Sequence, residues 1–144
     1  MRTGLAKSIV ASGLPQYDGT NQRIRALVVD DMPNVVGLVS LILKRGNVDV
    51  VATAKDGLAA VHAATKLQPD LIIMDVNMPS MNGLDATMRI RRELPSARII
   101  LMSADGDELM TEVAHDCGAD AFVPKDNLST LWESQLEKMF PVPQ

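Results

Sequence analysis

Five short, β-rich apolar runs constrain the fold of this chain most: Ile24–Val29, Val48–Thr53, Leu71–Met74, Arg98–Met102 and Ala121–Val123. They read as near-continuous apolar stretches and not as alternation, which is the pattern of parallel strands buried on both faces. Segments with helical spacing lie between them. Pro33 suits a helix start, and Val35, Leu38, Val39 and Ile42 form one stripe before Gly46 ends it. An Ala-rich helix runs from Leu58 to Leu67 after an Asp56-Gly57 turn, and a third carries Leu84, Met88, Ile90 and Leu94 up to Pro95. Asp107 and Glu108 sit in the first turn of a fourth, where negative charge suits the helix dipole. That helix carries Leu109, Met110, Val113, Ala114 and Cys117, and Gly118 can close it in the left-handed conformation. Leu128, Leu131, Trp132, Leu136, Met139 and Phe140 mark a last helix, followed by Pro141 and Pro143. Five strands alternating with five helices predict a three-layer α/β domain, a parallel sheet covered on both faces.

The 144 residues are one domain's worth. Residues 1–22 show no sustained period and carry Gly4, Gly13, Pro15 and Gly19, so they are read as an extension, loose or docked by Leu5, Ile9 and Val10. The domain proper is 23–140, and 141–144 form a tail. A net charge of −4 weighs against nucleic acid as a direct partner. The densest basic group, Arg89, Arg91 and Arg92, fits a solvated helix face. Cys117 is the only cysteine, which fits a reducing compartment and a buried, small apolar role. No apolar run approaches the ~20 residues of a membrane span, and the broken N-terminal stretch does not fit a secretory signal. A cytoplasmic protein without membrane contact is expected, and Met1 with the Pro-containing tail favours a complete chain.

The polar residues of chemical interest fall at one kind of place. Asp30 and Asp31 end the first strand, Asp75 ends the third, Ser103 ends the fourth and Lys125 follows the fifth. Open α/β sheets bind ligands outside the carboxyl ends of their strands. With strand order 2-1-3-4-5 these four ends are neighbours, while the edge strand 2 ends in Thr53 and Ala54 without a comparable group. Three carboxylates in one pocket need a cation, and Mg²⁺ suits them because it takes oxygen ligands and keeps several waters. Lys125 adds a point charge and Ser103 a hydroxyl donor. A carboxylate nucleophile in such company can accept a phosphoryl group. Singly, each residue also fits a turn, a helix start or a solvated surface; their joint occurrence at successive strand ends does not.

Leu27-Val28-Val29-Asp30-Asp31, Asp75-Val76-Asn77-Met78-Pro79 with Asn82-Gly83, Met102-Ser103-Ala104, Gly118-Ala119-Asp120 and Phe122-Val123-Pro124-Lys125 closely resemble the receiver domains of two-component response regulators. The resemblance covers roughly Arg23 to Phe140. It implies a CheY-like, flavodoxin-like (βα)5 fold and supplies the strand order 2-1-3-4-5. It implies that Asp75 is the phosphoacceptor. Asp31 and Asp75 would bind Mg²⁺ through side chains, Asn77 through its backbone carbonyl and Asp30 through water. Ser103 would hydrogen-bond the phosphoryl group, and Lys125 would pair with it. Phe122 takes the position of the switch aromatic, whose ring moves inward on activation; lacking a hydroxyl, it switches by packing alone.

Lys125 precedes Asp126 where many receivers have proline, so a cis bond is not expected there. Lys-Asp is familiar in receivers attached to helix-turn-helix output domains. The implied partners are a sensor histidine kinase or histidine phosphotransfer protein, an output protein, and a homodimer mate on the face of the fourth helix, fifth strand and last helix. The implied role is that of a switch that promotes its own phosphorylation and slow dephosphorylation, not of a turnover enzyme. The alternatives are a phosphorylation-independent binding module and the receiver of a longer DNA-binding regulator. A hydrolase is disfavoured: Asp30 is followed directly by Asp31, unlike the Asp-x-Asp of haloacid-dehalogenase-like phosphatases, and no Gly-x-Ser-x-Gly elbow occurs. His62 and His115 have no partner at metal-ligand spacing.

Overall fold

In the computed structural model, which describes residues 23–104 and 108–141, the five apolar runs form one parallel sheet of order β2-β1-β3-β4-β5. The strands are β1 (Ile24–Val29), β2 (Val48–Ala54), β3 (Leu71–Asp75), β4 (Arg98–Ser103) and β5 (Ala121–Pro124). Each of the last four extends one residue beyond its apolar run, so Asp75 and Ser103 are themselves the last residues of their strands. Helices α1 (Pro33–Leu43), α2 (Gly57–Leu67), α3 (Gly83–Glu93) and α4 (Glu108–Cys117) connect them. All of β3 is buried because helices cover both faces, which explains its uninterrupted apolar sequence. The edge strand β2 is open on one side and alternates in burial.

Two apolar layers result. Val39, Ile42 and Leu43 of α1 pack with Leu128, Leu131, Leu136 and Phe140 on one face of the sheet. Ala60 and Ala64 of α2, Ala86 and Ile90 of α3 and Ala114 of α4 pack on the other. Small residues on these three helices let their backbones come close to the strands.

Several expectations need correction. Leu38, assigned to the inner stripe of α1, is 48% exposed, because this helix is apolar nearly all round and spacing alone does not choose its buried side. Met88 and Leu109 also point outward, so they do not fill the core as Met74 and Met102 do. Cys117 is only partly buried. The last helix is not continuous: a 3-10 segment Lys125–Thr130 leads into a π-helical turn Trp132–Leu136 and a short α-helix α5 (Glu137–Met139). Asn127, non-helical inside the first of these, accounts for the break. Arg91 is not a solvated charge either. Its guanidinium donates to the carbonyls of Gly118, Leu94, Pro95 and Ala97 and pairs with Asp120 at 3.0 Å. Asp120 also accepts from the Ile99 amide, which ties the N-terminal ends of β4 and β5 together. Gly118 does close α4 with positive φ, +109°. The contacts expected of Leu5, Ile9 and Val10, the place of Asp107 and the side chain of Trp132 lie outside the described residues.

Candidate functional site

Strand register builds the site. Val29 pairs with Met74 and Asp75 with Met102, while Ser103 pairs with Pro124, one residue before Lys125. Four strand ends therefore deliver Asp30, Asp31, Asp75, Ser103 and Lys125 to one end of the sheet. Carboxylate oxygens of Asp30, Asp31 and Asp75 all lie within 4.8 Å of one another. Asp30, Asp75 and Ser103 are buried, and Asp31 is exposed.

Asp30 is held at both oxygens. Oδ1 accepts from the Met32 amide at 2.9 Å, and Oδ2 faces Lys125 Nζ at 2.8 Å. Lys125 Nζ also reaches Asp75 Oδ1 at 3.3 Å. One ammonium thus serves two buried carboxylates. Burial, and then the charge of Asp30, push the Asp75 carboxyl above its ordinary value; Lys125 and the Asn77 backbone amide offset this only in part. Burial pulls the Lys125 ammonium down, but its hydrogen bond to Asp30 and the charges of Asp75 and Asp30 outweigh that and hold it above its ordinary value. The arrangement disfavours an anionic Asp75 unless further positive charge arrives.

The loop after β3 is pinned against the site. Val76 donates to the Met102 carbonyl at 2.9 Å, and Gly83 donates back to Val76 at 2.7 Å. A Cβ on Gly83 would stand 2.2 Å from the Asp75 carbonyl oxygen, and one on Gly57 would stand 2.1 Å from that of Met81. Only glycine permits these approaches: Gly83 lets α3 start against the Asp75 backbone, and Gly57 lets the start of α2 close on the loop at Met81. Gly83 appears in the motif set, but its steric reason emerges only once α3 is seen against β3. Asn82 caps α3 by accepting from Asp85, and Thr87 donates to the Gly83 carbonyl. Asn77 lies in the exposed bend after β3. Phe122, two residues before the end of β5, is already largely buried among the layer of α2, α3 and α4.

One surface concavity is lined by Pro69, Glu93 and Pro95 at the opposite end of the sheet. The acidic site offers three clustered carboxylates and one ammonium, a chemistry suited to a cation together with a small anion.

Residues 26–134 match the family model described as the response regulator receiver domain. The chain is 44% identical over 104 residues to a protein-glutamate methylesterase/protein-glutamine glutaminase of Haloarcula marismortui, covering 71% of this chain and 28% of that protein. It is 36% identical over 102 residues to the chemotaxis protein CheY of Listeria monocytogenes, covering 71% of this chain and 86% of that one. The crystal structure of the response regulator domain of Thermotoga maritima CheB superposes with a TM-score of 0.73 at 34% identity, covering 82% of this chain and 94% of that one. Several of the curated relatives are longer: this chain spans 28% of the methylesterase and 47% of a Bacillus subtilis transcriptional regulatory protein.

Proposed function

Because this chain belongs to the response regulator receiver domain family, we propose that it is a switch that takes a phosphoryl group on Asp75 from a phosphohistidine of a sensor kinase or phosphotransfer protein. The observation that carries this reading is the sharing of one ammonium, Lys125, between the buried Asp30 and Asp75 beside the exposed Asp31. A deficit of positive charge around a carboxylate nucleophile suits a site completed by a cation and an incoming anion.

The donor set fits Mg²⁺: all three carboxylates offer oxygen, two from buried positions and one from the rim. Asp31 and Asp75 would hold it by side chains, Asn77 by its backbone carbonyl and Asp30 through water. Bound there, Mg²⁺ would neutralise charge on the phosphoryl oxygens during transfer. An Asp75 oxygen attacks phosphorus as the bond to the donor nitrogen breaks. Lys125 then pairs with a phosphoryl oxygen, and the Ser103 hydroxyl donates to another. Phe122 follows Ser103 by repacking within its layer. The face of α4, β5 and the last helical segment changes its partner preference, and exposed Leu109 on α4 supports a contact role there. Slow hydrolysis of the acyl phosphate resets the switch, with no turnover of a separate substrate. We place residues 23–140 in the switch and expect it to act in the cytoplasm, where such kinases present their phosphohistidines.

Intact-mass measurement after incubation with Mg²⁺ and acetyl phosphate tests the reading. A gain of about 80 Da, one phosphoryl group, is expected. No gain with acetyl phosphate or phosphorylated kinase domains would overturn it.

A further inference from the structure

The end of the sheet opposite the acidic site carries a second group of charges, which phosphoryl transfer does not use. Between the α3–β4 turn, the start of β4 and the end of α4 lies a recess of about 340 Å³, lined by Arg91, Ser96, Arg98, His115 and Asp120 among others. Arg91 is committed within it. Its guanidinium answers the carbonyls at the C-terminal ends of α3 and α4, where helix dipoles favour a cation, and it pairs with Asp120 at 3.0 Å. Arg98 is not committed. Its Nη1 stands 3.4 Å from Asp120, and its Nε is buried without a hydrogen-bond partner. A buried donor of a charged group left unanswered is uncommon and costly.

We infer that this recess binds a phosphate group, either free or as the monoester of a small organic molecule. Two guanidiniums share one carboxylate there, which leaves a surplus of positive charge. The other acidic side chains nearby, Asp70 and Glu93, line a separate concavity. Ser96 and His115 add a hydroxyl and an imidazole, and among the described residues neither side chain makes a hydrogen bond or ion pair. The unfilled donors thus come from a turn, a strand start and a helix end. That spread suits a tetrahedral oxyanion, whereas a planar carboxylate is satisfied by one guanidinium fork.

Arg98 is free to turn its Nε edge towards the anion, because Asp120 does not depend on it. Asp120 keeps Arg91 at 3.0 Å and the Ile99 amide at 2.8 Å. The recess is larger than a phosphate ion requires, and the organic part of an ester would lie against Pro95 and Ala119. The Arg98 and Asp120 side chains are 30% and 26% exposed, so water competes and the affinity is modest, with a dissociation constant of about 1–10 mM.

The test is an NMR titration of the isotope-labelled full chain with inorganic phosphate, at constant ionic strength and in EDTA to keep metal from the acidic site. Saturable shifts are expected at the amides of Ser96, Arg98, His115 and Asp120. Arg98→Gln is expected to weaken binding about tenfold, and Ser96→Ala with His115→Gln at least about threefold; thermal melts check that each variant is folded, and the double variant decides if Arg98→Gln is not. Phenyl phosphate binding more tightly than phosphate assigns the recess to an ester, and equal binding assigns it to the free ion. Shifts that grow linearly up to about 50 mM mean an adventitious ion only and overturn the inference. So do shifts confined to the Asp30–Asp75 end, acetate binding as tightly as phosphate, or wild-type affinity in a folded variant.

Discussion

Replacing Asp75 with asparagine is expected to make the metal-free protein more stable. Asp75 is 3% exposed and Asp30 1%, and the two share Lys125. Asparagine keeps the shape and an acceptor oxygen but removes the charge. The loss is the longer of the two Lys125 contacts, 3.3 Å, while the 2.8 Å contact to Asp30 remains. The gain is relief from burying a charge and from repulsion by Asp30, the two leading causes of the raised Asp75 value. A carboxyl whose value is raised by folding contributes stability below its ordinary value, 3.8, and loses it as pH rises through the folded value. At neutral pH the ionised group is therefore a net cost.

Taking a buried, under-compensated charge away is worth about 1–2 kcal/mol, roughly 3–8 °C in melting temperature for a domain of this size. Thermal melts at pH 7 in EDTA measure it. The difference should shrink as pH falls and vanish well below the ordinary value of 3.8, where Asp75 is protonated in both states. It should also narrow with Mg²⁺: at tenfold excess over its dissociation constant the ion adds about 1.4 kcal/mol to the wild type and less to the variant. A variant less stable than wild type in EDTA at pH 7 would show that the Lys125 pairing outweighs the burial cost, and would refute the reasoning.

Mg²⁺ is expected to bind at millimolar affinity, about 4 kcal/mol, and more weakly to Asp31→Ala; NMR shift titration decides, and unchanged affinity would reject Asp31 as a ligand. Ser103→Ala and Phe122→Ala should leave phosphorylation possible but reduce the structural response, read as the amide shift change on phosphorylation; a full response in either would remove that residue from the coupling. Gly83→Ala should destabilise by about 2–4 kcal/mol, since its Cβ meets the Asp75 carbonyl at 2.2 Å. Denaturant unfolding measures this, and a loss under about 0.5 kcal/mol would mean that the loop moves aside freely.

The strands were legible because both faces of the sheet are covered, so burial writes itself into the sequence as unbroken apolar runs such as Leu71-Ile72-Ile73-Met74. The convergence of Asp30, Asp75, Ser103 and Lys125 was legible only with a strand order in hand, since Asp30 and Lys125 lie far apart in the chain and meet through topology alone. Where a segment is apolar on several sides the signal fails. In α1 it could not separate buried Val39 from exposed Leu38, and at the C-terminus it could not reveal the break at Asn127. Arg91 looked like one surface charge among three, because the carbonyls it binds are brought to it by the turns around Pro95 and Gly118. Gly57 and Gly83 carry no side chain to signal that another backbone touches them.

The central claim is that Asp75, and no other carboxylate, takes the phosphoryl group. Asp30 and Asp31 sit in the same cluster, so only a direct comparison separates them. Wild type and Asp75→Asn, incubated side by side with acetyl phosphate and Mg²⁺ or with EDTA, are followed by intact mass. The account predicts a gain of about 80 Da in wild type with Mg²⁺ alone, and none in Asp75→Asn under either condition. An Asp75→Asn protein that gains this mass at the wild-type rate would contradict it.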